Sequence, residues 1–175
     1  MDEVGADGRF GCAGVAVPQN IVIDSGGPNV AKLMHIGHLR PAVIGESIRR
    51  IEKFVGNKVI SDVHFGDWGT PMGMIISEIE NLHPDWPYSD DTQTGAFPVE
   101  HPYNVNEVTE LYKKASARCK EDEAARERAR IITAKFQDGH AGYRALWKHL
   151  RDVSVDAVKQ IYGDLDVNFD LWLGE

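Results

Sequence analysis

Two histidines, a lysine and an asparagine fall within the eleven residues 28–38, Pro-Asn-Val-Ala-Lys-Leu-Met-His-Ile-Gly-His. His35, His38 and Lys32 carry N–H groups that can donate hydrogen bonds to phosphoryl oxygens. Phosphoryl or nucleotidyl transfer depends mainly on such positioning and charge stabilisation. Gly37, between the histidines, lets the backbone approach a ligand closely. The segment is therefore a candidate site for an anionic phosphate ligand.

The sequence on either side of this segment predicts the strand-to-helix turn of an α/β unit. The β-branched run at 21–23 favours a buried strand over Asn20–Ser25, which the sequence Gly26-Gly27-Pro28 ends. A helix is predicted over Leu39–Val55, because apolar residues recur there every three or four positions, and Gly56-Asn57 stops it. In open α/β sheets, ligands bind outside the carboxyl ends of strands, against helix N-termini. A nucleotide site is therefore expected at this turn.

A second polar turn follows the next strand. Lys58–His64 reads as a strand, and strand–helix–strand spacing of this length predicts a parallel, right-handed βαβ unit. The sequence Gly-Asp-Trp-Gly-Thr-Pro at 66–71 then lies at the carboxyl end of that strand. The turns at 25–38 and 65–71 are expected side by side on one sheet edge, where they would form a composite site. The helix that follows is predicted from the apolar residues Met72, Ile75, Ile76, Ile79 and Leu82.

The rest of the chain is predicted to be mainly helical. Residues 83–105 contain four prolines and are predicted to form a long loop or irregular insertion. Helices are expected from about Asn106, over Glu121–Phe136 and along the apolar stripe from Tyr143 to Ile161. The alternation over Val167–Leu173 is typical of a strand or extended segment. The predicted fold class is therefore α/β, with parallel strands and a mainly α-helical insertion.

Composition is that of an ordinary soluble globular protein, with 42% of the 175 residues hydrophobic and 26% charged. No apolar stretch approaches the roughly 20 residues that span a membrane, and the acidic N-terminus lacks the features of a signal peptide. Two cysteines far apart in sequence argue against a disulfide framework and favour a cytoplasmic location. Residues 61–175 hold 12 Lys and Arg against 21 Asp and Glu, which makes this part a poor general surface for nucleic acid.

The two histidines by themselves have a simpler explanation, in which they cap the helix that follows. A zinc site is less well supported, because no third ligand lies at a recognised spacing and the sequence has no Cys-x-x-Cys or His-Glu-x-x-His pattern. No structural metal is therefore expected. The strand before the histidines and the helix after them favour nucleotide binding.

The segment 24–40, Asp-Ser-Gly-Gly-Pro-Asn-Val-Ala-Lys-Leu-Met-His-Ile-Gly-His-Leu-Arg, resembles the signature turn of class I aminoacyl-tRNA synthetases, and of arginyl-tRNA synthetases in particular. The sequence at 64–74, His-Phe-Gly-Asp-Trp-Gly-Thr-Pro-Met-Gly-Met, is similar to the Gly-Asp-Trp-Gly turn of the same family. Stretches at 116–122, 142–148 and 169–175 are similar as well. The resemblance therefore extends from about residue 9 to the end of the chain.

This resemblance implies a Rossmann-like catalytic domain that activates L-arginine with ATP and Mg²⁺ and transfers it to the 3′ end of tRNA(Arg). On the ATP side of such a site, His35 and His38 would stabilise the α-phosphate as the arginine carboxylate attacks it. Gly37 would leave room for the adenine ring. Lys32 would supply positive charge near the phosphates.

The resemblance also implies which residues would bind arginine. Asn29, with the backbone around Gly27, would hold the α-amino and carboxylate groups of the amino acid. Asp67 and Gly69 would form the neighbouring wall of the site, although the resemblance supports these two residues more weakly.

Several of these residues also have purely structural explanations. Asn29 can be a turn residue after a proline, Lys32 a solvated charge, and Asp67 a cap for the helix that opens near Thr70. Trp68 is better explained by packing than by catalysis. The other histidines have no supporting group of residues and are read as structural or surface residues: His64, His83, His101, His140 and His149.

The sequence departs from the family pattern at two positions. Ser25 stands where the family commonly has an aromatic residue, so one wall of the site is expected to differ. Pro41 stands in place of a small polar residue. We expect the helix to tolerate Pro41, because proline is accepted in a first helical turn.

Two parts of the family's machinery have no counterpart in these 175 residues: a second signature loop resembling Lys-Met-Ser-Lys-Ser, and a helical anticodon-binding domain. We therefore expect the chain to be part of a longer catalytic domain, inactive in isolation, with tRNA contacted mostly through segments outside it. Three regions are expected: an irregular lead-in over 1–18, the first half of the Rossmann-like domain over 19–82, and a loop with a truncated helical insertion over 83–175.

Two other functions stay open. A cytidylyltransferase-like nucleotidyltransferase also uses a His-x-Gly-His turn, although the Pro-Asn-x-Ala-Lys lead-in and the Gly-Asp-Trp-Gly sequence argue against it. A non-catalytic, synthetase-like binding module would instead use the helical region 106–162 to bind a protein partner.

Overall fold

The computed structural model describes residue 5 and residues 7–93, 96–98 and 103–174. The α/β prediction is confirmed, as is the mainly helical character of the second half. Residues Pro87–Ser89 form a single 3₁₀ turn. Along the chain, the helices and strands are β1 (Asn20–Asp24), α1 (Ile36–Val55), β2 (Lys58–Phe65), α2 (Thr70–Leu82), α3 (Val105–Glu121), α4 (Glu123–Asp138), α5 (Ala141–Asp164) and β3 (Leu171–Gly174).

The three strands form one sheet in the order β1-β2-β3. Strands β1 and β2 pair in parallel, with Asn20 opposite Lys58 and Asp24 opposite Asp62. Since α1 connects the two strands, the predicted parallel βαβ unit is confirmed. The carboxyl end of β2 runs directly into the turn before α2.

The chain divides into two compact units. The first contains the residues up to Gly27 together with His35–His64 and Tyr162–Leu173. The second contains Pro28–Met34 and Phe65–Ile161, with Gly174.

In the first unit, α1 packs on β1 through small residues. Ala42 and Gly45 are buried, and a Cβ at Gly45 would collide with the side chain of Ser25. The apolar stripe that predicts the helix is not its buried face, because Ile44, Ile48 and Ile51 are 53%, 45% and 60% exposed.

The N-terminal bound of α1 differs from the prediction. The helix begins at Ile36, three residues before Leu39, and His35 is its N-cap. Pro41 is consequently the sixth helical residue and lies beyond the first turn. The helix nevertheless continues to Val55, since proline removes one backbone donor without ending it here. Gly56, with φ +108°, ends it as predicted.

In the second unit, α2, α3 and α4 pack against one another. The α2–α4 contact is close, because a Cβ at Gly73 would collide with the Thr133 side chain and the Ala129 carbonyl. Four of the five predicted apolar residues of α2 are buried, namely Met72, Ile75, Ile76 and Ile79, whereas Leu82 is exposed.

Capping residues set the bounds of the later helices. Asn104 caps α3, accepting hydrogen bonds from the N–H groups of Asn106 and Glu107. Asp122 ends α3 and caps α4, which therefore begins at Glu123 rather than at the predicted Glu121. No helix in the part of the chain that the structure describes is long and apolar enough to cross a membrane.

The described residues of the predicted loop, 83–93, 96–98 and 103–104, are irregular apart from the 3₁₀ turn at 87–89, and Val105 already belongs to α3. Tyr88 within that turn is buried, and its backbone lies so close to Gly142 that a Cβ there would collide with it. His101 lies outside the described residues.

Candidate functional site

His35 and His38 together form a cap at the start of α1. The Nδ1 atom of His35 accepts a hydrogen bond from the N–H of Gly37 at 3.1 Å. The Nδ1 atom of His38 accepts one from the N–H of His35 at 3.2 Å. The two ring centroids lie 4.0 Å apart. The capping role considered for these histidines is therefore present in the structure, and it brings both imidazoles to a helix N-terminus.

The cap also determines the chemical form of the two rings. Because Nδ1 accepts a hydrogen bond in each neutral ring, the proton of that ring is on Nε2. Both rings therefore carry an Nε2–H donor at the positive end of the helix dipole, where anions are favoured.

Gly26 and Gly27, which precede the cap in the first unit, are required by close contacts. Gly26 has φ +80°, a conformation that L-residues rarely adopt, and its carbonyl accepts a hydrogen bond from the Tyr162 hydroxyl at 3.2 Å. A Cβ at Gly27 would lie 2.8 Å from the His64 carbonyl oxygen. Burial raises the pKa of Tyr162 to about 12, so its hydroxyl keeps its proton at neutral pH.

In the second unit, Asn29 pairs with the second polar turn. Asn29 and Gly66 form a parallel bridge, in which the Val30 N–H donates to the Gly66 carbonyl at 3.2 Å and the Gly66 N–H donates to the Pro28 carbonyl at 3.3 Å. A Cβ at Gly66 would collide with Oδ1 of Asn29. The two turns thus lie side by side, as predicted, over residues 28–30 and 66.

Lys32 is half-buried, and its Nζ atom lies 4.9 Å from the centroid of the Tyr112 ring on α3. This is the geometry of a cation–π interaction. The lysine therefore has an aromatic partner and is not a fully solvated charge.

Asp67 is 1% exposed and its carboxylate is bound within the second unit. The Nε atom of Arg151 lies 2.7 Å from Oδ2 of Asp67, and the indole N–H of Trp147 donates to the Asp67 carbonyl at 2.7 Å. The N-cap of α2 is Gly69, which makes no side-chain capping hydrogen bond. The explanation of Asp67 as a helix cap is therefore wrong.

Trp68 packs among aromatic rings, as its packing explanation predicts. Its ring lies 4.4 Å from that of Phe136 and 5.4 Å from that of Trp147, measured between centroids. The Arg144 guanidinium lies 5.5 Å from the Trp68 ring centroid. This cluster holds the Gly-Asp-Trp-Gly turn from one side.

The remaining described histidines contact acidic or aromatic side chains. His64 lies 3.2 Å from Asp62, His83 stacks on Trp86, and His149 makes an edge contact with Tyr88. His140 lies 2.7 Å from Asp91, and the hydrogen bonds from Lys135 and His140 lower the pKa of that carboxyl. Within the described ranges, no group of three or more His, Cys, Asp or Glu residues has an arrangement suited to a metal ion.

Arg151 and Ser154 of α5 are not predicted from the sequence as site residues, and Trp147 is predicted only as part of the apolar stripe. All three contact the predicted site segments. Trp147 and Arg151 bind Asp67, and Ser154 Oγ accepts a hydrogen bond from the Ala31 N–H at 3.2 Å. Their spacing of four and three residues was the available signal, because it places them on one helix face.

A family model described as "tRNA synthetases class I (R), catalytic domain" matches residues 7–175. An arginine–tRNA ligase from Alkaliphilus oremlandii is 50% identical over 175 residues, which is 100% of this chain and 30% of that protein. An arginine–tRNA ligase from Francisella tularensis is 50% identical over 167 residues, which is 95% of this chain and 29% of that protein. The chain therefore spans about 30% of the length of these relatives.

A solved structure supports the same assignment. The arginyl-tRNA synthetase of Plasmodium falciparum superposes with a TM-score of 0.65 at 29% sequence identity, covering 89% of this chain and 24% of that chain. The Rossmann-like α/β fold implied by the sequence resemblance is confirmed. With the family model covering all but the first six residues, the chain belongs to the class I tRNA synthetase (R) catalytic-domain family.

Proposed function

We propose that this chain supplies the first part of a catalytic site that activates L-arginine with ATP and joins it to tRNA(Arg). The observation that carries the proposal is the bridge between Asn29 and Gly66, because it joins the two turns on which the sequence resemblance to arginyl-tRNA synthetases rests. Identity of 50% along the whole chain to a protein of that name supports the arginine specificity.

On the ATP side, we assign the α-phosphate to the Nε2–H groups of His35 and His38. In the activation step, a carboxylate oxygen of arginine attacks the α-phosphorus, the bond to the bridging oxygen breaks, and pyrophosphate leaves. Charge develops on the α-phosphoryl oxygens, where fixed N–H donors stabilise it. Gly37 leaves room for adenine, and Lys32, held over Tyr112, adds positive charge near the phosphates.

On the arginine side, Asn29 and the backbone at Gly27 hold the α-amino and carboxylate groups. The Gly66 position supports this role of Asn29, because only a residue without a Cβ leaves space for the Asn29 side chain. Asp67 and Gly69 form the wall beside it. Since Oδ2 of Asp67 is bound by Arg151, its contribution to arginine binding is through the shape of the turn.

In the second step, the 3′-terminal hydroxyl of the tRNA attacks the activated carbonyl carbon and AMP leaves. Mg²⁺ binds together with ATP, as part of the substrate.

Residues 19–82 supply the nucleotide-binding half of the site, residues 83–175 form a helical insertion, and residues 1–18 form a lead-in. The tRNA is contacted mainly by segments beyond these 175 residues. The complete enzyme acts in the cytoplasm.

The test is arginine-dependent exchange of labelled pyrophosphate into ATP, catalysed in the presence of tRNA(Arg) by the complete gene product that carries this chain. We expect exchange with L-arginine and ATP, and none with lysine or with CTP in place of ATP. Exchange that needs CTP, or that proceeds without an amino acid, would favour a nucleotidyltransferase. A folded gene product that exchanges nothing would favour a binding module.

A further inference from the structure

Within the second unit, one face of α5 contacts the turn at 66–69 and the segment 28–34. Trp147 donates its indole N–H to the Asp67 carbonyl, and Arg151 pairs with the Asp67 carboxylate, each at 2.7 Å. Ser154 accepts the Ala31 N–H at 3.2 Å. The first two contacts hold the turn at 66–69, and the third holds the segment 28–34. We call Trp147, Arg151 and Ser154 the α5 contact face.

The contact at Asp67 fixes a carboxylate that is almost fully buried. A buried carboxylate is stable only when it is paired and hydrogen-bonded. The guanidinium of Arg151 supplies the positive charge that pairs with the Asp67 carboxylate. Gly174 lies against the same carboxylate, so close that a Cβ at position 174 would collide with it. With the Asp67 carbonyl also bound by Trp147, both the side chain and the backbone of this residue are held.

The contact at Ala31 fixes an unusual backbone conformation. Ala31 is fully buried and has φ +66°, a left-handed conformation that residues other than glycine rarely adopt. Such a conformation persists only where the surroundings over-determine it. Ser154 provides that constraint, because its hydroxyl accepts from the Ala31 N–H and donates to the Leu150 carbonyl at 2.7 Å.

We infer that Arg151 and Ser154 are positioning residues, which set the relative placement of the two turns and thereby the arginine-binding geometry. The inference rests on the proposed function for the identity of the ligand. Asn29 lies two residues before Ala31 and pairs with Gly66, the residue before Asp67. A shift at either contact of the α5 face therefore moves the pair that is assigned to the amino acid.

The kinetic test compares Arg151→Met and Ser154→Ala with the unchanged complete gene product. Misplacement by about 1 Å can cost roughly 10²-fold in rate, and a displaced Asn29 would also bind arginine more weakly. We therefore expect kcat/KM for arginine to fall by about 10- to 100-fold, mainly through a higher arginine KM, while the ATP KM stays within about twofold. Arg151→Lys retains the charge but not the planar fork, and we expect it to recover part of the loss. Lys148→Ala is the matched control, because Lys148 pairs with Asp152 and is 70% exposed on the same helix.

Two kinetic outcomes would overturn the inference. In the first, folded variants keep the arginine KM of the unchanged enzyme. In the second, the KM values for arginine and ATP both stay constant and only the amount of active enzyme falls, which is the result expected if Arg151 and Ser154 only stabilise the fold. Absence of arginine-dependent pyrophosphate exchange by the unchanged gene product would instead contradict the proposed function.

Amide hydrogen exchange in the 175-residue chain tests the α5 contacts without any activity. We expect Ser154→Ala to accelerate exchange at Ala31 and at its neighbour Val30, whereas Lys148→Ala leaves both rates unchanged. Exchange at Val30 and Ala31 that is equal in the Ser154→Ala variant and the unchanged chain would show that Ser154 does not hold this segment, and would overturn the inference.

Discussion

At the scale of single residues, His35 and His38 combine a structural and a proposed chemical role. Each uses Nδ1 to accept a backbone N–H at the start of α1, and each therefore carries its proton on Nε2. The capping explanation and the phosphate-binding explanation are compatible, since they use different nitrogens. A variant that preserves the cap but removes the imidazole separates the two.

His35→Asn is that variant, because asparagine is a strong N-cap whose side-chain oxygen can accept the N–H of Gly37. In the complete gene product, we expect His35→Asn to leave thermal stability nearly unchanged and to lower the activation rate by roughly 10²–10³-fold, with a modest change in arginine affinity. Pyrophosphate exchange and thermal unfolding measured on the same preparation check this.

His35→Ala and His38→Ala serve as the comparison, because they remove both the cap and the donor. We expect them to lose activation rate to a similar degree, and in addition to lose about 1 kcal/mol of stability, as is typical of a lost N-cap. Full activity in His35→Asn would reduce the role of this histidine to capping.

At the scale of helices and strands, close contacts between small residues determine how the elements pack. Gly45 of α1 accommodates the side chain of Ser25, and Gly73 of α2 accommodates Thr133 of α4. At position 25, the small side chain of serine lies directly against Gly45. A larger side chain there would have to displace α1 from the end of β1.

Gly73→Ala tests the packing of α2 on α4. The added Cβ would collide with the Ala129 carbonyl, which is backbone and cannot rotate away, so we expect a loss of about 1–3 kcal/mol in the free energy of unfolding. Urea unfolding of the 175-residue chain measures it. Gly163→Ala is the control, because a Cβ at Gly163 meets nothing within 4 Å, and a stability equal to or slightly above that of the unchanged chain is expected.

A buried carboxylate links α1 to the segment after α5 in the first unit. Glu46 is 5% exposed, pairs with Arg49 at 2.7 Å and with Arg50 at 2.6 Å, and accepts the Asn168 N–H at 3.3 Å. Burial alone would raise the pKa of Glu46, but the hydrogen bonds from the two arginines and from Asn168 outweigh burial and lower it below the ordinary value of 4.5.

This pKa shift predicts a specific pH dependence. A carboxyl whose pKa is lower in the folded state contributes stability at pH values above its unfolded pKa, and the contribution disappears as the pH falls through the folded value. We expect Glu46→Gln to lose about 1.5–3 kcal/mol near pH 7, and the difference from the unchanged chain to shrink below pH 4.5. Urea unfolding from pH 7 to pH 3 measures this, and a difference independent of pH would contradict it.

At the scale of the whole molecule, the chain holds two signature turns but spans about 30% of the length of its relatives. The charge that develops on pyrophosphate in the activation step needs donors of its own, and no Lys-Met-Ser-Lys-Ser-like sequence occurs in these 175 residues. The two turns can therefore supply only part of the electrostatic stabilisation that the proposed reaction needs.

We accordingly expect the 175-residue chain by itself to show no arginine-dependent pyrophosphate exchange above background. The complete gene product, assayed at the same molar concentration, is the positive control. Measurable exchange by the 175 residues alone would show that the two signature turns suffice for activation, and would contradict this division of the site.

Sequence reasoning identified most of the elements because their signals are local. The two parallel strands, the helix ended by Gly56 and the helices over 105–164 are predicted from β-branched runs, apolar periodicity and glycine, which act within a few positions. The predicted start of α1 at Leu39 is wrong because His35, an unusual N-cap, starts the helix earlier than the apolar pattern indicates.

The amino-acid sequence alone determined the two polar turns, the strand that precedes each of them and the family resemblance, because these depend on the types and spacing of neighbouring residues. Only the tertiary structure decided which face of α1 is buried, which partner holds Asp67, and why Ala31 tolerates a left-handed backbone. Those properties come from residues eighty or more positions apart, or from small side chains that permit close approach. No local pattern encodes such contacts, so they become visible only when the chain is folded.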